Sequence, residues 1–393
     1  MSAFEKIEYR PRPVREILVE MKNLSELMID LAYSAALFHD KELADEVVRL
    51  ENRVDTLTYL LDMNVMIAAR SADDAEALVG VSVVASAADK ISDAAADIAV
   101  IVLRDICVHP IVREAFEKVE ERLGCVKVES KSVLVGKTLG ELGLEAKIGV
   151  DVIAIRRGEN WIINPKSDET IEDEDFLIVR GAPGGMMELG LVEGSLKKSR
   201  EPTIAVTKPF RKIVDKLAEL KDTSELMMDL AYSSLLLNSR ELAEEVQMLE
   251  EHIDSLHTEF ELLVLASIPN PQESKDFLGL IRLGVVTEKI ADAAAQIAAV
   301  VLRGLEPHPV LKLVIEEAAE TVSRVSVSKT SSIVGKTLRQ AQIPEQTGMW
   351  ILAMRRAKKW IRPKPDSIIK AGDILIASGY AEGEEDLQRI AST

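Results

Sequence analysis

Four pairs of carboxylates are the first residues in this chain that could do chemistry. Glu51 and Asp55 stand four residues apart, as do Asp89 and Asp93, and the spacing returns at Glu250 and Asp254 and at Glu288 and Asp292. Positions i and i+4 share a helical face, so each pair repels unless something positive lies between its members. On antiparallel neighbouring helices, two such pairs converge into a four-carboxylate cluster of the kind that holds two metal ions in helical bundles. Hard oxygen donors suit Mg, Ca, Mn or iron. No Glu-x-x-His accompanies the pairs, which argues against an oxygen-activating di-iron enzyme. An acidic helix also produces this spacing on a solvated face, and both readings stand. Flanking alanines set Asp93 and Asp292 apart from random surface, and each repeat has a third pair, Glu26 and Asp30 in the first and Glu225 and Asp229 in the second.

These residues sit in a sequence that repeats itself. Ser25-Glu26-Leu27-Met28 returns as Ser224-Glu225-Leu226-Met227, an offset of 199 (224 − 25), and 19 of 33 positions match between residues 25–57 and 224–256. Residues 14–122 carry apolar side chains at i, i+3 and i+4, which predicts helices. Leu24, Leu27, Met28, Leu31 and Ala35 form one stripe, and Leu43, Val47, Leu50, Val54, Leu57 and Leu61 the next. Ser71 and Asp74 cap a third helix that runs to about Arg104. In the second copy the same junction, Ile268-Pro269-Asn270-Pro271, must be a loop. His109-Pro110 and His308-Pro309 stop the third helix and start a short fourth. The expectation is a three-helix bundle with an appended helix.

After Gly124 the period changes to two. Residues 125–128, 150–155, 161–163 and 176–179 read as strands, and Gly136-Lys137-Thr138-Leu139 opens a short helix between them. The second copy follows the same plan, with one residue missing after Trp360. Modules of this size gain stability by pairing, within one chain or across a homodimer. The expected organisation is a bundle over 10–122, a module over 123–190, a linker over 191–208, a bundle over 209–321 and a module over 322–393.

Composition narrows the function. A net charge of −18 argues against nucleic acid and against an anionic membrane surface as partners. Hydrophobic residues make up 47%, enough for buried cores, yet no apolar run approaches the roughly 20 residues a membrane helix needs. Met1 to Lys6 shows no apolar signal region, and the two cysteines, Cys107 and Cys125, have no metal spacing. The expectation is a cytoplasmic protein that reaches the inner face of a membrane only through a partner. No Gly-x-Gly-x-x-Gly follows a strand, and Gly181-Ala182-Pro183-Gly184-Gly185 lacks both that spacing and a following helix, so neither NAD nor ATP is expected. No Ser/His/Asp or Cys/His set recurs in both halves, so the chain reads as non-enzymatic.

Asp89-Lys90-Ile91-Ser92-Asp93 with Ala96-Asp97-Ile98-Ala99 resembles the third-helix signature of the PhoU family, and Glu51…Asp55 resembles its other acidic motif. The resemblance implies multinuclear metal sites, for divalent or iron-type ions, at Glu51, Asp55, Asp89 and Asp93 and at Glu250, Asp254, Glu288 and Asp292. The chain departs from that family at Ala94 and Ala293, where the family often has His. The small modules resemble the TrkA C-terminal domain, also called RCK-C. The matching segments are Val135-Gly136-Lys137-Thr138-Leu139, Val152 to Gly158, Asn164-Pro165 and Glu174 to Gly181, with counterparts at Val334 to Leu338, Ile351 to Arg356 and Gly372 to Gly379. The fold class implied is multidomain α and α+β, two PhoU-like antiparallel bundles alternating with two RCK-C-type modules.

The second resemblance implies modules that dimerise and regulate potassium or other cation channels and transporters embedded in the membrane, some of them by binding a cyclic dinucleotide such as cyclic di-AMP. Arg156, Arg157, Arg355 and Arg356 are the candidate anion readers, because guanidinium forks suit phosphates. Strand alternation sends the two arginines of each pair to opposite faces. Trp161 and Trp360 could stack on a base or pack at a strand edge. The leading expectation is a regulator of potassium or other cation transport. Its rivals are a PhoU-like regulator of phosphate transport and a metal-dependent hydrolase.

Overall fold

The computed structural model describes residues 7–106, 109–119, 121–158, 160–193, 208–268, 274–305, 308–316, 320–356, 359–361, 363 and 365–393. In chain order the elements are α1 (Val14–Phe38), α2 (Lys41–Ala68), α3 (Ala72–Leu103), α4 (Ile111–Phe116), β1 (Arg122–Lys127), α5 (Leu139–Leu142), α6 (Leu144–Ile148), β2 (Val150–Arg157), β3 (Asn160–Ile163), β4 (Phe176–Gly181) and α7 (Pro183–Glu193). The second copy continues with α8 (Lys208–Leu237), α9 (Arg240–Ala266), α10 (Ser274–Leu302), α11 (Pro309–Glu316), β5 (Glu320–Ser326), α12 (Leu338–Ala341), α13 (Ile343–Thr347), β6 (Met349–Arg356), β7 (Lys359–Ile361), β8 (Ile374–Tyr380) and, after a 3₁₀ turn, α14 (Glu384–Ser392). The chain divides into two compact units, residues 1–112 with 207–318 and residues 113–206 with 319–393.

The first unit contains both helical bundles. Asp40, Ser71 and Ser239 accept backbone N–H groups at the starts of α2, α3 and α9, the capping their side chains favour. The α2 stripe is buried at Leu43, Val47, Val54, Leu57 and Leu61. Helix α1 departs from the single stripe read in the sequence: residues 27–37 are buried without interruption. The reason is a second neighbour. The other bundle packs on the outside of α1 and α3, and Tyr33 Oη reaches Thr287 Oγ1 of α10 at 3.1 Å. Helices α3 and α10 cross antiparallel, since Lys90 meets Gln296 while Asp97 meets Lys289. Alanines make the close crossing possible, with Ala94, Ala95, Ala293 and Ala294 fully buried.

Charge is buried along the same contact. Lys22 lies 4.7 Å from the Tyr232 ring centroid and 2.6 Å from Glu26, and in the second copy the buried Lys221 lies 2.5 Å from Glu225. Burial pushes Glu225 up to about 7 even though Lys221 pulls the other way.

The second unit contains two four-stranded antiparallel sheets of matching order, β1-β4-β2-β3 and β5-β8-β6-β7. Each has an irregularity in its central strand, between Val152 and Ala154 and between Ile351 and Ala353. Thr138 with Glu141 and Thr337 with Gln340 form capping boxes that start α5 and α12. Val126, Val150, Ile155, Leu177 and Val179 fill one core, and Val327, Met349, Met354, Leu375 and Leu387 the other.

The two modules pair through α6 and α13. Gly149 sits at φ 62°, and a Cβ there would come 2.2 Å from the Pro344 carbonyl oxygen. Its counterpart Gly348, at φ 64°, would come 2.4 Å from the Tyr380 ring.

Two expectations change. A helix, α7, does follow Gly181-Ala182, with Pro183 as its first residue. The glycines there serve packing: a Cβ on Gly185 would lie 1.9 Å from the Ile148 carbonyl oxygen. Helix α7 also runs to Glu193, into the segment 191–208 read as linker, and residues 194–207 lie outside the described residues. So do Cys107 and residues 269–273 of the Pro-Asn-Pro loop. Among the described residues no helix is long and apolar enough to cross a membrane.

Candidate metal and anion sites

Packing of α2 on α3 and of α9 on α10 puts the carboxylate pairs on facing helices, and among the described residues three of the eight, Glu250, Asp254 and Asp292, come within ligand distance of one another. In the second bundle, Glu250, Asp254 and Asp292 each offer an oxygen, and these lie within 4.8 Å of one another. Opposite ligands of an octahedral ion with bonds of about 2.1 Å stand about 4.2 Å apart, so a small closure suffices and the donor set fits a hard cation. Glu288, one turn before Asp292, faces His257 Nδ1 at 3.9 Å.

In the first bundle the four carboxylates repel one another. Burial pushes Glu51 up, and Asp93, Asp55 and Asp89 add to it. Asp89 is raised by burial against a hydrogen bond from Thr58, and Asp93 by burial and by Asp97 and Asp55, with Lys289 opposing. Glu250, Glu288 and Asp292 are raised the same way, by burial first and then by neighbouring carboxylates. Two lysines cross between the bundles at this face: Lys289 Nζ lies 2.7 Å from Asp97 Oδ2, and Lys90 Nζ lies 2.8 Å from Gln296 Oε1.

The paired arginines separate by face. Arg157 Nε and Nη2 donate to the two oxygens of Asp175 at 3.0 and 2.9 Å, Nη1 to Glu169 at 3.1 Å and Nη2 to the Thr170 carbonyl at 2.7 Å. Arg356 repeats the fork on Asp373 at 2.8 and 2.6 Å and reaches the Ile368 carbonyl at 2.7 Å. These two are clamps that fix the loop before β4 and β8, with Nε and Nη2 of each already engaged.

Arg156 lies on the other face, 4.6 Å from the Phe176 centroid and 5.8 Å from Trp161. Strand register lines up Lys127, Phe176, Arg156 and Trp161 in one row across the sheet. In the second module the row passes through Ser326, Ile374, Arg355 and Trp360, and the Trp360 side chain lies outside the described residues. The first module's row combines cations with flat apolar surface, which suits a phosphate joined to a base.

His109 and His308 keep the junction role their His-Pro context suggested. Each Nδ1 accepts a backbone N–H two residues on, at 3.3 and 3.2 Å.

Sequence reasoning missed two groups. One is His257, whose signal was present as Asp254-x-x-His257 but without a counterpart in the first copy, where Thr58 stands. The other is Glu145 at the module contact, pushed up to about 8 by burial and by Asp151, with Glu382 adding and Arg180 opposing. Arg180 itself lies 3.2 Å from Asp151 and 5.4 Å from the Tyr380 ring. No local pattern announces that contact, because Glu382 and Tyr380 come from the other module.

The PhoU domain model matches residues 18–102 and 217–301, and the TrkA-C domain model matches residues 125–190 and 322–392. The chain is 38% identical over 65 residues to the Ktr system potassium uptake protein C of Bacillus subtilis, covering 16% of this chain and 29% of that protein. It is 23% identical over 312 residues to the Trk system potassium uptake protein TrkA homolog 1 of Methanosarcina mazei, covering 70% of this chain and 67% of that protein. A crystal structure of PhoU from Pseudomonas aeruginosa aligns over 74% of this chain and 96% of its own at 15% identity, with a TM-score of 0.41, a likeness too loose to carry argument. The four matched segments alternate along the sequence with the boundaries of bundle and sheet, and this chain is a tandem array of two PhoU domains and two TrkA-C domains.

Proposed function

We propose that this protein is a non-enzymatic regulator of potassium or other cation transport, acting on a channel or transporter embedded in the membrane. The observation that carries the reading is the pairing of two TrkA-C modules within one chain, in a sequence whose relatives are named for potassium uptake. The modules sense a small anion. Arg156 and Arg355 are the readers, Arg157 and Arg356 hold their loops, and a cyclic dinucleotide fits the row of cations and aromatics. The bundles bind divalent or iron-type ions at Glu51, Asp55, Asp89 and Asp93 and at Glu250, Asp254, Glu288 and Asp292, and dock on the partner. A ligand that prefers one arrangement of the paired modules shifts the partner between its two states by the difference in its affinity for them.

The test is a pull-down of tagged protein from detergent-solubilised membranes of its own organism, with mass spectrometry of what co-purifies. Recovery of a cation channel or transporter supports the proposal. Recovery of phosphate-transport components, or of no membrane protein, refutes it, and the first of these outcomes selects a phosphate-signalling role in keeping with the PhoU domains.

A further inference from the structure

The contact between the two modules comes from duplicated sequence, yet its charged groups lie on one side only. Helix α6 of the first module meets α13 and the 3₁₀ turn Ala381–Gly383 of the second. There Glu145 shares a side-chain hydrogen bond with Asp151 of β2, and Glu382 of the 3₁₀ turn adds a carboxylate from the second module. The repeat counterparts of Glu145, Asp151, Arg180 and Glu382 are Pro344, Trp350, Ser378 and Gly184. None of these four takes up or releases a proton near neutral pH, so the mirrored side of the contact has no equivalent cluster.

The surrounding groups decide where the proton sits. Two carboxyls joined by a hydrogen bond hold a proton between them, because an ionised carboxylate can only accept. Arg180 Nε and Nη2 lie 3.3 and 3.2 Å from Asp151 Oδ2, which leaves the negative charge on Asp151 and the proton on Glu145. The same guanidinium stands 5.4 Å from the Tyr380 ring of the second module. Tyr380 Oη donates to Glu121 of the first module at 3.2 Å, and its ring meets Trp350 edge-on at 5.8 Å. Lys147, on the same helix as Glu145, donates to the Leu142 carbonyl. Glu345 of α13 lies against Gly184, on the mirrored side.

The approach of the modules is close at this point. A Cβ on Gly149 would come 2.2 Å from the Pro344 carbonyl oxygen, and one on Gly348 would come 3.4 Å from the Glu145 carbonyl oxygen. Closure therefore buries Glu145 and brings Glu382 toward it in one movement. Burial raises Glu145 to about 8, with Asp151 and Glu382 adding to the effect and Arg180 opposing it.

We propose that this contact is a proton-operated latch: neutral Glu145, donating to Asp151, lets the two modules close, and loss of that proton to solvent sets Glu145 against Asp151 and Glu382 and loosens them. One proton per chain operates it, because the mirrored side holds no equivalent. A group raised in the closed arrangement favours closure in acid, and that contribution is lost as pH rises through about 8. The latch adds the pH of the surrounding solution as an input to the module rearrangement described above. Its effect on a partner rests on the proposed function, whereas the latch itself is a property of the chain alone.

The experiment follows energy transfer between dyes on the two modules of the full-length chain from pH 6 to 9. Urea is added to bring the closed and open arrangements into balance, and circular dichroism checks that the modules stay folded. The closed-to-open ratio of the wild type should fall by about tenfold or more across that range. Glu145→Gln keeps a donor to Asp151 without a titrating proton and should hold the ratio within about twofold. Glu382→Gln should reduce the fall, and Glu345→Gln, on the mirrored side, should leave it as in the wild type. A wild-type ratio that stays within about twofold, or a fall that persists in Glu145→Gln, overturns the latch. An unchanged fall in Glu382→Gln overturns the part given to the carboxylate of the second module. None of these outcomes depends on a membrane partner, so failure of the latch and failure of the proposed function are read separately.

Discussion

Replacing Arg356 by Ala should unfold the second module ahead of the rest of the chain. Asp373 is 1% exposed, and its two oxygens accept from Arg356 and from the Lys370 backbone N–H at 2.8 Å. Burial alone would raise this carboxyl. The Arg356 hydrogen bonds and charge, with the Lys370 N–H, outweigh burial and hold it below the usual range. Removing one partner of such a pair costs about 3–5 kcal/mol. Arg356 is 29% exposed, so water repairs part of the loss and about 3 kcal/mol is the reasonable figure. That is about a hundredfold in the opening equilibrium, or about 12–24 °C in the melting of a module of this size.

Native-state hydrogen exchange at the β6 and β8 amides reads the effect locally. The pH dependence supplies the signature. A carboxyl depressed in the folded state stabilises above its unfolded value, about pH 4, and loses that contribution as pH falls through the folded value. Wild type and variant should therefore differ at pH 7 and converge below about pH 4. A loss under about 1 kcal/mol at pH 7, or a gap that does not close in acid, refutes the clamp.

Other outcomes follow from the same geometry. Glu145→Gln should flatten the fall in melting temperature between about pH 4.5 and 8, because a carboxyl raised to about 8 binds extra protons in the folded state and loses stability as pH rises through that window. Gly149→Ala should separate the modules, measured by energy transfer between dyes on each, since its Cβ meets the Pro344 carbonyl at 2.2 Å and its φ is 62°. Lys221→Met should cost about 3 kcal/mol in chemical denaturation by leaving Glu225 unpaired, and adding Glu225→Leu should restore most of it. Arg156→Ala should weaken anion binding measured by calorimetry with little change in melting temperature, in contrast to Arg157→Ala, which should lower the melting temperature as the Arg356 variant does.

Much of the architecture was legible because duplication and periodicity are local. The α2 stripe, the Thr138 capping box and the His-Pro junctions can each be read in a window of ten residues or so. The unbroken burial of α1 was not, because it depends on a second bundle contributing Thr287 from 254 positions away. The same limit hid α7. Its glycines look like loop chemistry until Ile148 is seen pressed against Gly185. At the sites, i, i+4 spacing put Glu250 and Asp254 on one face of α9, but which residue of the facing pair joins them, Asp292 and not Glu288, is decided by the packing of α10. Searching for what both halves share passed over His257, because its counterpart in the first copy is Thr58.

The intramolecular pairing of the modules has a further consequence. Partners that would otherwise have to find each other in solution are joined by one chain, which makes their association an intramolecular step. Their association then does not vary with expression level, and no exchange of subunits can scramble it. A pair assembled from identical subunits must mutate both faces at once. A covalent pair can change one face alone, and Asp151, whose repeat counterpart is Trp350, and Arg180, whose counterpart is Ser378, are positions where this chain has used that freedom.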